Sequence, residues 1–487
     1  MRTKSFVSTH VLLVGALPVG TRPLGDFPEC ADPERANPED DCVSHTLRAR
    51  FCEPVRILDG RAHMNNHSEQ AFDVLVAGGG SAGVAAAVAS ARSGARTLLL
   101  ERCQCLGGAS TLRNVVTYCG LYTLNDAPKR VVGGIGAEVI AALRARGAIT
   151  PPLRHRGVFA VFDPEAVKLV LDDLCARAGV EVMFSAMVVD ADRTEDRITS
   201  VTVADHDGLR KIHARTFVDC TGEGDLAAHA GASVRYGNAD GVNLGTLGTR
   251  FGGITPQTVV SAEDIAAAVS RIDPNRSALT KDRSVIARMP ISGDLVCYLA
   301  SADYDPRDAA SLSAAECSGR QQAWRYLDAL RTIPGCEQAY LVSTGPEFGT
   351  REARHIESQQ PLCWEHIANR TQFSDTVALG AWGAEWHDRQ TYVSTFEYPP
   401  DKAAYEIPLS CLRSRDTANL LAAGRVVDGD RLAGAAIRVM GTAFALGHAA
   451  GVAAALDADS SDWSARDVQS RLRAQGAILD HASLEPP

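Results

Sequence analysis

The sequence predicts an α/β fold built on a parallel sheet, and three features indicate it. Phe72–Ala77 is a short apolar run of the kind that forms a buried parallel strand. A glycine-rich turn and a helix of small residues over 81–93 follow directly, and a second apolar run occupies 96–100. A strand, a helix and a second strand in this order form the repeating unit of a parallel sheet.

Length and composition narrow the class of protein. The 487 residues exceed the usual size of a single hydrophobic core, so more than one packed region is expected. The formal net charge of −10 argues against nucleic acid or an anionic membrane surface as a partner. No stretch has the length and hydropathy of a membrane-spanning helix. The 42 glycines, with aromatic residues at only 6%, indicate backbone that closely approaches a ligand.

The 13 cysteines are irregularly spaced, and none forms a Cys-x-x-Cys pair. This spacing predicts neither a zinc site nor a dithiol redox motif, and therefore no metal. Reduced thiols of this kind are typical of a cytoplasmic protein, which is the predicted location.

Residues 1–68 differ in character from the rest of the chain. Arg2 and Lys4 precede an apolar stretch at 11–17 that weakly resembles a secretory signal. The segment that follows is rich in Pro, Asp, Glu and Arg and lacks periodicity, which predicts disorder. Residues 1–68 are interpreted as a disordered leader or a misassigned extension. A natural start at Met64, with residues 1–63 as the extension, is preferred to a signal peptide. A peptide from residues 5–60 in the native protein would contradict the second interpretation.

The turn at 78–83 has the spacing G-x-G-x-x-G at the end of the first strand. Gly78 permits a tight turn, Gly80 lets backbone approach a pyrophosphate, and Gly83 lets the helix pack close to the sheet. The start of the helix offers unpaired N–H groups to the phosphates. Glu101 ends the second strand, where a carboxylate would accept hydrogen bonds from a ribose. Together these features predict a bound dinucleotide on a Rossmann-like fold.

Two further regions bear on which dinucleotide binds. Gly107-Gly108 resembles the extended adenine-dinucleotide turn of flavoproteins with two dinucleotide-binding folds. Near the other end, a predicted strand at 419–423 leads into Gly424-Arg425, and a helix of small residues is predicted at 443–456. Such a helix can place its backbone on a flat ring and aim its positive end at it.

Five ordered blocks carry a family resemblance. They are the glycine turn with Glu101 and Gly107-Gly108, then Thr221-Gly222-Glu223-Gly224-Asp225, Gly349-Thr350-Arg351-Glu352-Ala353-Arg354, the stretch from Asn419 to Arg425, and Arg438-Val439-Met440-Gly441-Thr442. Over roughly 400 residues the chain resembles FAD-dependent oxidoreductases related to the flavoprotein subunits of fumarate reductase and succinate dehydrogenase. His448 departs from the pattern, since the family commonly has Gln there.

The resemblance implies FAD as the cofactor and a discontinuous architecture. A Rossmann-like FAD-binding domain, with a parallel sheet and a β-hairpin insertion, is expected over 69–235 and 405–460. An inserted α+β substrate or cap region is expected over 236–404, and a C-terminal helix and tail over 461–487. The predicted FAD-binding residues are Gly78, Gly80, Ser81, Ala82, Gly83, Glu101, Arg102, Gly107, Gly108, Thr221, Gly222, Gly424, Arg425, Arg438, Val439 and Gly447.

Candidate catalytic residues follow from what flavin chemistry requires. Arg438 and the start of the last long helix are suited to the negative charge of a reduced flavin; a surface ion pair is the alternative for Arg438. His387 is suited to act as a base, or as an acid in reverse, although a histidine beside Trp386 is equally typical of packing.

Arg351 and Arg354 are the remaining candidates. Three residues apart on a predicted helix, they would share a face and could hold a substrate carboxylate or polarise a carbonyl. The alternative is that they form ion pairs with Glu352 or Glu385.

The leading functional prediction is hydride transfer between flavin and a small polar metabolite, as dehydrogenation or its reverse. A flavin-dependent monooxygenase and a non-catalytic FAD-binding electron-transfer subunit are the alternatives. An external electron acceptor or reductase is compatible with each, and no nucleic-acid or membrane partner is expected. His448 or a cysteine could tether the flavin covalently, and neither the covalent state nor the oligomeric state is predicted.

Overall fold

The computed structural model describes residues 71–239, 241–460 and 462–487. The predictions for the leader and for Met64 as the start lie outside these residues. The strands are β1 (Phe72–Ala77), β2 (Thr97–Leu100), β3 (Thr117–Cys119), β4 (Leu153–Arg154), β5 (Val158–Val161), β6 (Glu181–Met183), β7 (Met187–Thr194), β8 (Arg197–Asp205), β9 (Gly208–Asp219), β10 (Val234–Tyr236), β11 (Gly245–Thr246), β12 (Thr249–Gly252), β13 (Ile286–Arg288), β14 (Leu295–Cys297), β15 (Ser301–Ala302), β16 (Tyr340–Thr344), β17 (Arg354–Ile356), β18 (Thr376–Gly380), β19 (Ala384–His387), β20 (Ser394–Glu397), β21 (Tyr405–Pro408) and β22 (Leu420–Ala422).

The helices are α1 (Ser81–Arg92), α2 (Ala109–Leu112), α3 (Gly134–Ala145), α4 (Pro164–Ala178), α5 (Asp225–His229), α6 (Ala262–Ile272), α7 (Ala309–Leu330), α8 (Trp364–Ala368), α9 (Arg431–Ile437), α10 (Met440–Asp459) and α11 (Ala465–Ala474). Short 3-10 turns occupy Pro400–Lys402, Leu409–Cys411, Gly424–Val426 and His481–Ser483.

The main sheet confirms the predicted α/β fold. Its parallel strands lie in the order β6, β2, β1, β9 and β22. The long strand β9 belongs to both the antiparallel hairpin and the parallel sheet. Its first half pairs antiparallel with β8, and its last half lies between β1 and β22. Strands β7, β8 and β9 therefore form the predicted hairpin insertion, which returns the chain to the centre of the sheet.

Both faces of the main sheet are covered. Val74 and Val76 of β1 belong to the hydrophobic core on the side of α1 and α10. Leu75 and Ala77, which alternate with them, belong to a second core that includes residues of the hairpin insertion and α5. A parallel strand buried on both faces reads as a continuous apolar run, which is why β1 was recognisable in the sequence.

Helices α1 and α10 pack backbone against backbone. A Cβ at Gly447 would collide with the carbonyl oxygen of Ala82, and one at Gly451 would collide with that of Ala86. Gly83 similarly lies against the carbonyl oxygen of Gly78 at the start of α1. These glycines fix how closely the two helices and the glycine-rich turn can approach one another.

The region between β10 and β21 contains a core of its own. An antiparallel sheet in the order β13, β14, β12 and β16 packs with α6 and α7, and the buried residues of this core lie between Val242 and Phe348. The one helix predicted here, at 314–331, starts earlier as α7, and α6 and α8 are additional. Buried residues of β18 and β19 instead join the core of the main sheet. The domain boundaries themselves stay a prediction.

Among the described residues, no single helix is both long and apolar enough to cross a membrane. The bent pair α9 and α10 passes a test of length and composition only, and the residues of α10 are mostly buried within the protein.

The α1–α10 contact gives a stability prediction. Gly451→Ala places a methyl group against the carbonyl oxygen of Ala86, and overpacking of this kind costs about 1–3 kcal/mol. We expect a lower melting temperature than that of the wild type in a thermal unfolding experiment.

Gly434→Ala in α9 is the matched control for this prediction. The nearest atom to its added Cβ lies 3.5 Å away, which is an ordinary contact, so its melting temperature should be unchanged or slightly higher. Equal melting temperatures for the two variants would contradict the close packing of α1 and α10.

Candidate active site

A single cavity of about 1270 Å³ joins the glycine-rich turn after β1 to the strand β19. All the predicted FAD-binding residues line it except Gly83 and Gly447, which lie at the helix and turn contacts described above. Gly447 lies against the backbone of Ala82, where its missing side chain makes room for α1, and its contact with the cofactor stays a prediction.

Two glycine turns form one end of the cavity. Gly78 has φ +100°, which residues with side chains rarely adopt, and its N–H donates to the Leu100 carbonyl at 2.8 Å. The N–H of Gly107 donates to the carbonyl of Gly79 at 2.8 Å and joins the second turn to the first. A Cβ at Gly108 would lie 3.0 Å from the Cα of Gly80, so side chains are excluded where the turns meet. The result is a cradle of glycine backbone that lines the cavity.

Glu101 holds these turns in position. One of its carboxylate oxygens accepts from the N–H of Gly79 at 2.7 Å, and the other accepts from the N–H of Cys103 at 2.8 Å. The residue is buried yet lines the cavity. Each carboxylate oxygen retains a further lone pair, so the predicted contact with a ribose is compatible with this arrangement.

The Ser81 hydroxyl gives evidence, independent of the glycine motif, that the cradle fits a dinucleotide pyrophosphate. The Ser81 hydroxyl is buried at the start of α1, lines the cavity and has no hydrogen-bond partner among the described residues. A buried hydroxyl normally finds a partner, so one facing the positive end of a helix is suited to a phosphate oxygen.

A buried polar network lies beside the cradle at the 3-10 turn that begins with Gly424. Arg425 donates to the carboxylate of Glu223 and, at 2.8 Å, to the hydroxyl of Thr350; Arg113 lies 3.3 Å from the same carboxylate. Burial opposes the ionised form, but Arg425 and Arg113 hold the pKa of Glu223 below its ordinary value. The network ties the Thr221–Asp225 block to the segment around Thr350.

At its other end the cavity contains the cluster of charged groups that we call the reactive cluster: Lys281, Arg351, Glu385, His387 and Arg438. Glu385 and His387 are two residues apart on β19, so their side chains lie on one face, with His387 Nε2 3.7 Å from the carboxylate. Ser394 faces His387 across the β19–β20 pair, and its hydroxyl lies 2.6 Å from Nδ1.

Burial and the neighbouring charges set the ionisation states in the reactive cluster. Burial and the positive charge of Arg351 lower the pKa of His387 to about 3, although Glu385 opposes this. Burial also opposes ionisation of Glu385, but His387, Arg438 and Arg351 hold its pKa well below the ordinary value. Near neutral pH, His387 is therefore a neutral imidazole beside a carboxylate.

Arg438 occupies the position between α9 and α10. It donates to the backbone carbonyl of Glu385 at 3.1 Å, and its Nη2 lies 3.8 Å from the Glu385 carboxylate. Its Nε is buried with no partner among the described residues. Arg438 is thus neither a surface residue nor fully paired, and it lines the cavity together with the start of α10.

The prediction that Arg351 and Arg354 share a helical face is wrong. Arg351 lies in an irregular segment that precedes β17, and Arg354 begins that strand. Arg351 lines the cavity and donates to the carbonyl of Leu244. Arg354 donates to Asp225 at 3.0 Å and is not among the lining residues, because the extended backbone separates the two side chains.

His448 does not line the cavity either. Its Nε2 lies 3.0 Å from the side-chain oxygen of Gln475, and its ring packs against Gly134. This histidine therefore joins α10 to α3 and the end of α11, and it is not placed to tether a flavin. Of the cysteines considered for a covalent link to the flavin, Cys119 and Cys220 line the cavity.

Sequence reasoning missed three residues of this site: Lys281, Ser394 and Arg113. Lys281 falls in an irregular polar segment without a motif, and Ser394 is identified only by its pairing with His387 across two strands. Arg113 is 110 residues from Glu223 in the chain, and only the fold brings the two together.

The family model described as FAD dependent oxidoreductase matches residues 73–475. This chain belongs to that family. It is therefore an oxidoreductase with FAD as its cofactor, and the cradle, the Ser81 hydroxyl and Glu101 are the groups that would hold the adenine dinucleotide portion.

Curated relatives match only part of the chain. Uncharacterised proteins of Mycobacterium tuberculosis and Mycobacterium bovis are 36% identical over 96 residues, which is 18% of this chain and 17% of theirs. The chain thus matches less than a fifth of the length of these relatives.

Similar solved structures include a geranylgeranyl bacteriochlorophyll reductase-like protein from Thermoplasma acidophilum (13% identity, TM-score 0.41, 83% of each chain covered). They also include the anhydrotetracycline hydroxylase OxyS from Streptomyces rimosus (13%, 0.42, 83% of this chain and 66% of that one). A third is the myxobacterial chondrochloren halogenase CndH (16%, 0.43, 84% and 79%). The assignment above depends on the family match and the site itself.

Glu101 gives a prediction about cofactor affinity. Glu101→Gln replaces one acceptor oxygen with an amide NH2, which leaves one of the two backbone N–H groups without an acceptor. An unsatisfied buried donor costs about 1–3 kcal/mol, so we expect FAD affinity to fall by about ten- to a hundredfold. Titration of the apoprotein with FAD, followed by flavin fluorescence, measures this.

Glu138→Gln is the control, since Glu138 forms an exposed ion pair with Arg92 on the surface. FAD affinity equal to that of the wild type in both variants would show that Glu101 does not organise the cradle.

Proposed function

We propose that the protein transfers a hydride between FAD and a small polar metabolite, as a dehydrogenase or in the reverse direction. The observation that carries this proposal is the reactive cluster, which places a neutral imidazole, a carboxylate and guanidinium groups in the same cavity as the dinucleotide cradle. Bound FAD supplies the ring that accepts or gives the hydride.

His387 is proposed as the group that moves the proton. Its low pKa leaves the imidazole neutral near pH 7 and able to accept a proton from a substrate hydroxyl or amine. The Ser394 hydroxyl at 2.6 Å fixes the ring, and the Glu385 carboxylate stabilises the imidazolium that forms. In reverse, the imidazole would first take up a proton, since its low pKa leaves it neutral near pH 7.

The two arginines of the cluster have separate proposed roles. Arg351 orients the substrate, because its planar guanidinium reaches the cavity while its hydrogen bond to Leu244 holds it in place. Arg438 and the start of α10 together offer positive charge to the reduced ring, and the Nε of Arg438, which has no partner among the described residues, supports this role. Arg354, paired with Asp225, is proposed to stabilise the block around Glu223.

The experiment is anaerobic mixing of the FAD-bound protein with a panel of polar metabolites, followed by flavin absorbance. Bleaching by a metabolite alone supports the proposal. Reduction by a nicotinamide cofactor, followed by oxygen-dependent substrate hydroxylation, would support the monooxygenase alternative instead. Reduction only by a separate reductase, with no substrate consumed, would favour an electron-transfer subunit.

The role of His387 is tested by substitution. His387→Gln removes the base but keeps a polar side chain beside Ser394, so we expect anaerobic reduction of the flavin by substrate to slow by about 10²–10⁴-fold. FAD content should remain that of the wild type. His213→Gln, on the exposed hairpin insertion, is the control. Wild-type reduction rates in His387→Gln would remove His387 from the mechanism.

The pKa of His387 gives a separate prediction for pH dependence. An ordinary histidine base becomes protonated, and its activity falls, as the pH drops through about 6.5. Because burial and Arg351 lower the pKa of His387 to about 3, the rate of flavin reduction should be flat between pH 5 and pH 6.5. Stopped-flow reduction rates measure this, and a fall over that interval would contradict the assigned ionisation state.

A further inference from the structure

A segment of the inserted region, residues 276–285, forms part of the cavity lining between α6 and β13. Lys281 is at its centre and is only 7% exposed. Its backbone is held by Tyr326 of α7, whose hydroxyl accepts from the Lys281 N–H at 2.9 Å and donates to its carbonyl at 2.7 Å. The ion pair between Arg276 and Asp282, at 2.7 Å, closes the segment beside it. Lys281 is therefore a fixed and buried residue of the cavity wall.

The ammonium group of Lys281 has no partner among the residues that the structure describes. Within the described part of the chain, its Nζ makes neither a hydrogen bond nor an ion pair, although the residue is more than nine-tenths buried and lines the cavity. A buried charge is normally paired, because desolvation of an uncompensated ammonium costs several kcal/mol. A ligand that enters the cavity can therefore supply the partner that Nζ lacks among the described residues.

The surrounding charges increase the lack of negative charge around Lys281. The groups that face Lys281 are Arg351, which is positive, Glu385, which is negative, and His387, which is neutral near pH 7. Arg438 adds a second guanidinium beside the same carboxylate. One carboxylate thus faces two guanidinium groups and an ammonium group, and the reactive cluster carries excess positive charge.

We infer that Lys281 is a substrate-binding residue, and that it selects a metabolite bearing an oxyanion such as a carboxylate or phosphate group. This inference rests on the proposed function, since it places the substrate beside His387 and Arg351. An oxyanion would supply the missing acceptor for Nζ and the missing negative charge of the cluster. A neutral substrate would leave the lysine unpaired.

The ionisation of Lys281 makes the inference testable by pH. Burial, and then the charge of Arg351, lower the pKa of Lys281 to about 7, although Glu385 opposes this. The ammonium is therefore lost as the pH rises through about 7, and oxyanion binding should weaken. Glu385 stays ionised and His387 stays neutral above this pH, and Asp282 is already paired with Arg276, so none of the three reverses the trend.

The test measures equilibrium binding to the FAD-bound protein, with malonate, inorganic phosphate and the neutral analogue malonamide as probes. Changes in flavin absorbance and in melting temperature report binding. We expect malonate or phosphate to bind and malonamide not to bind, and the preferred anion identifies which oxyanion the pocket takes. Lys281→Met should weaken binding at pH 6 by about tenfold or more. Lys281→Arg should keep malonate binding and lose its dependence on pH between 7 and 9, where malonate itself stays a dianion.

Lys211→Met is the control, since Lys211 pairs with Asp192 on the surface of the hairpin insertion. Wild-type malonate and phosphate affinity in Lys281→Met would overturn the inference, and so would malonamide binding as tightly as malonate. A loss of FAD affinity in Lys281→Met, with anion affinity unchanged, would also overturn it and assign the charge to the cofactor. The melting temperatures of Lys281→Met and Lys281→Arg are measured to check that both variants are folded.

The binding test separates this inference from the proposed function, because no turnover is needed. Lys281-dependent anion binding without flavin reduction by any metabolite would retain the anion site and reject the dehydrogenase. Flavin reduction by a neutral metabolite, with no anion binding, would retain the dehydrogenase and reject the anion site.

Discussion

The contact between α1 and α10 is the packing constraint on which the site depends. Gly447 and Gly451 allow α10 to lie against the backbone of α1 at Ala82 and Ala86. The two helices come from opposite ends of the family match, yet the first residues of both line one cavity. The positive ends of two helix dipoles are thereby directed at one ligand. One of them adjoins the glycine cradle and the other adjoins Arg438 and the reactive cluster.

Charge distribution divides the cavity into two parts with different tasks. At the cradle, glycine backbone and the Ser81 hydroxyl, which has no partner among the described residues, offer hydrogen bonds without bulk, which suits a phosphate. At the reactive cluster, buried ionisable groups hold one another in defined states: His387 neutral, Glu385 ionised, Arg351 and Arg438 positive. Preorganised charges in buried surroundings act more strongly than the same groups would in solution. Lys281 extends this positive field from the inserted region, so both regions of the chain contribute to the cluster.

The sequence identified the parts of the fold that local patterns determine. The strand β1, the cradle and the helix α1 each have a signature within a few residues. The sequence did not identify residues whose roles depend on partners distant in the chain. Arg351 and Arg354 looked like neighbours on a helix, but extended backbone sends one to the cavity and the other to Asp225. Gly447 was predicted to contact the cofactor, and in the structure it lies against the backbone of Ala82. The sequence of a helix does not show which neighbour a glycine makes room for. Lys281 has no local signature at all, because its significance lies in the partner it lacks.

The central claim is that one cavity holds the dinucleotide at the cradle and the flavin ring at the reactive cluster. A crystal structure of the FAD-bound protein tests it most directly. The account predicts pyrophosphate density at Ser81 and Gly80, and a flavin ring in contact with the start of α10 and on the same side of the cavity as His387. Flavin density outside the cavity, or a ring separated from His387 by the protein, would contradict the account.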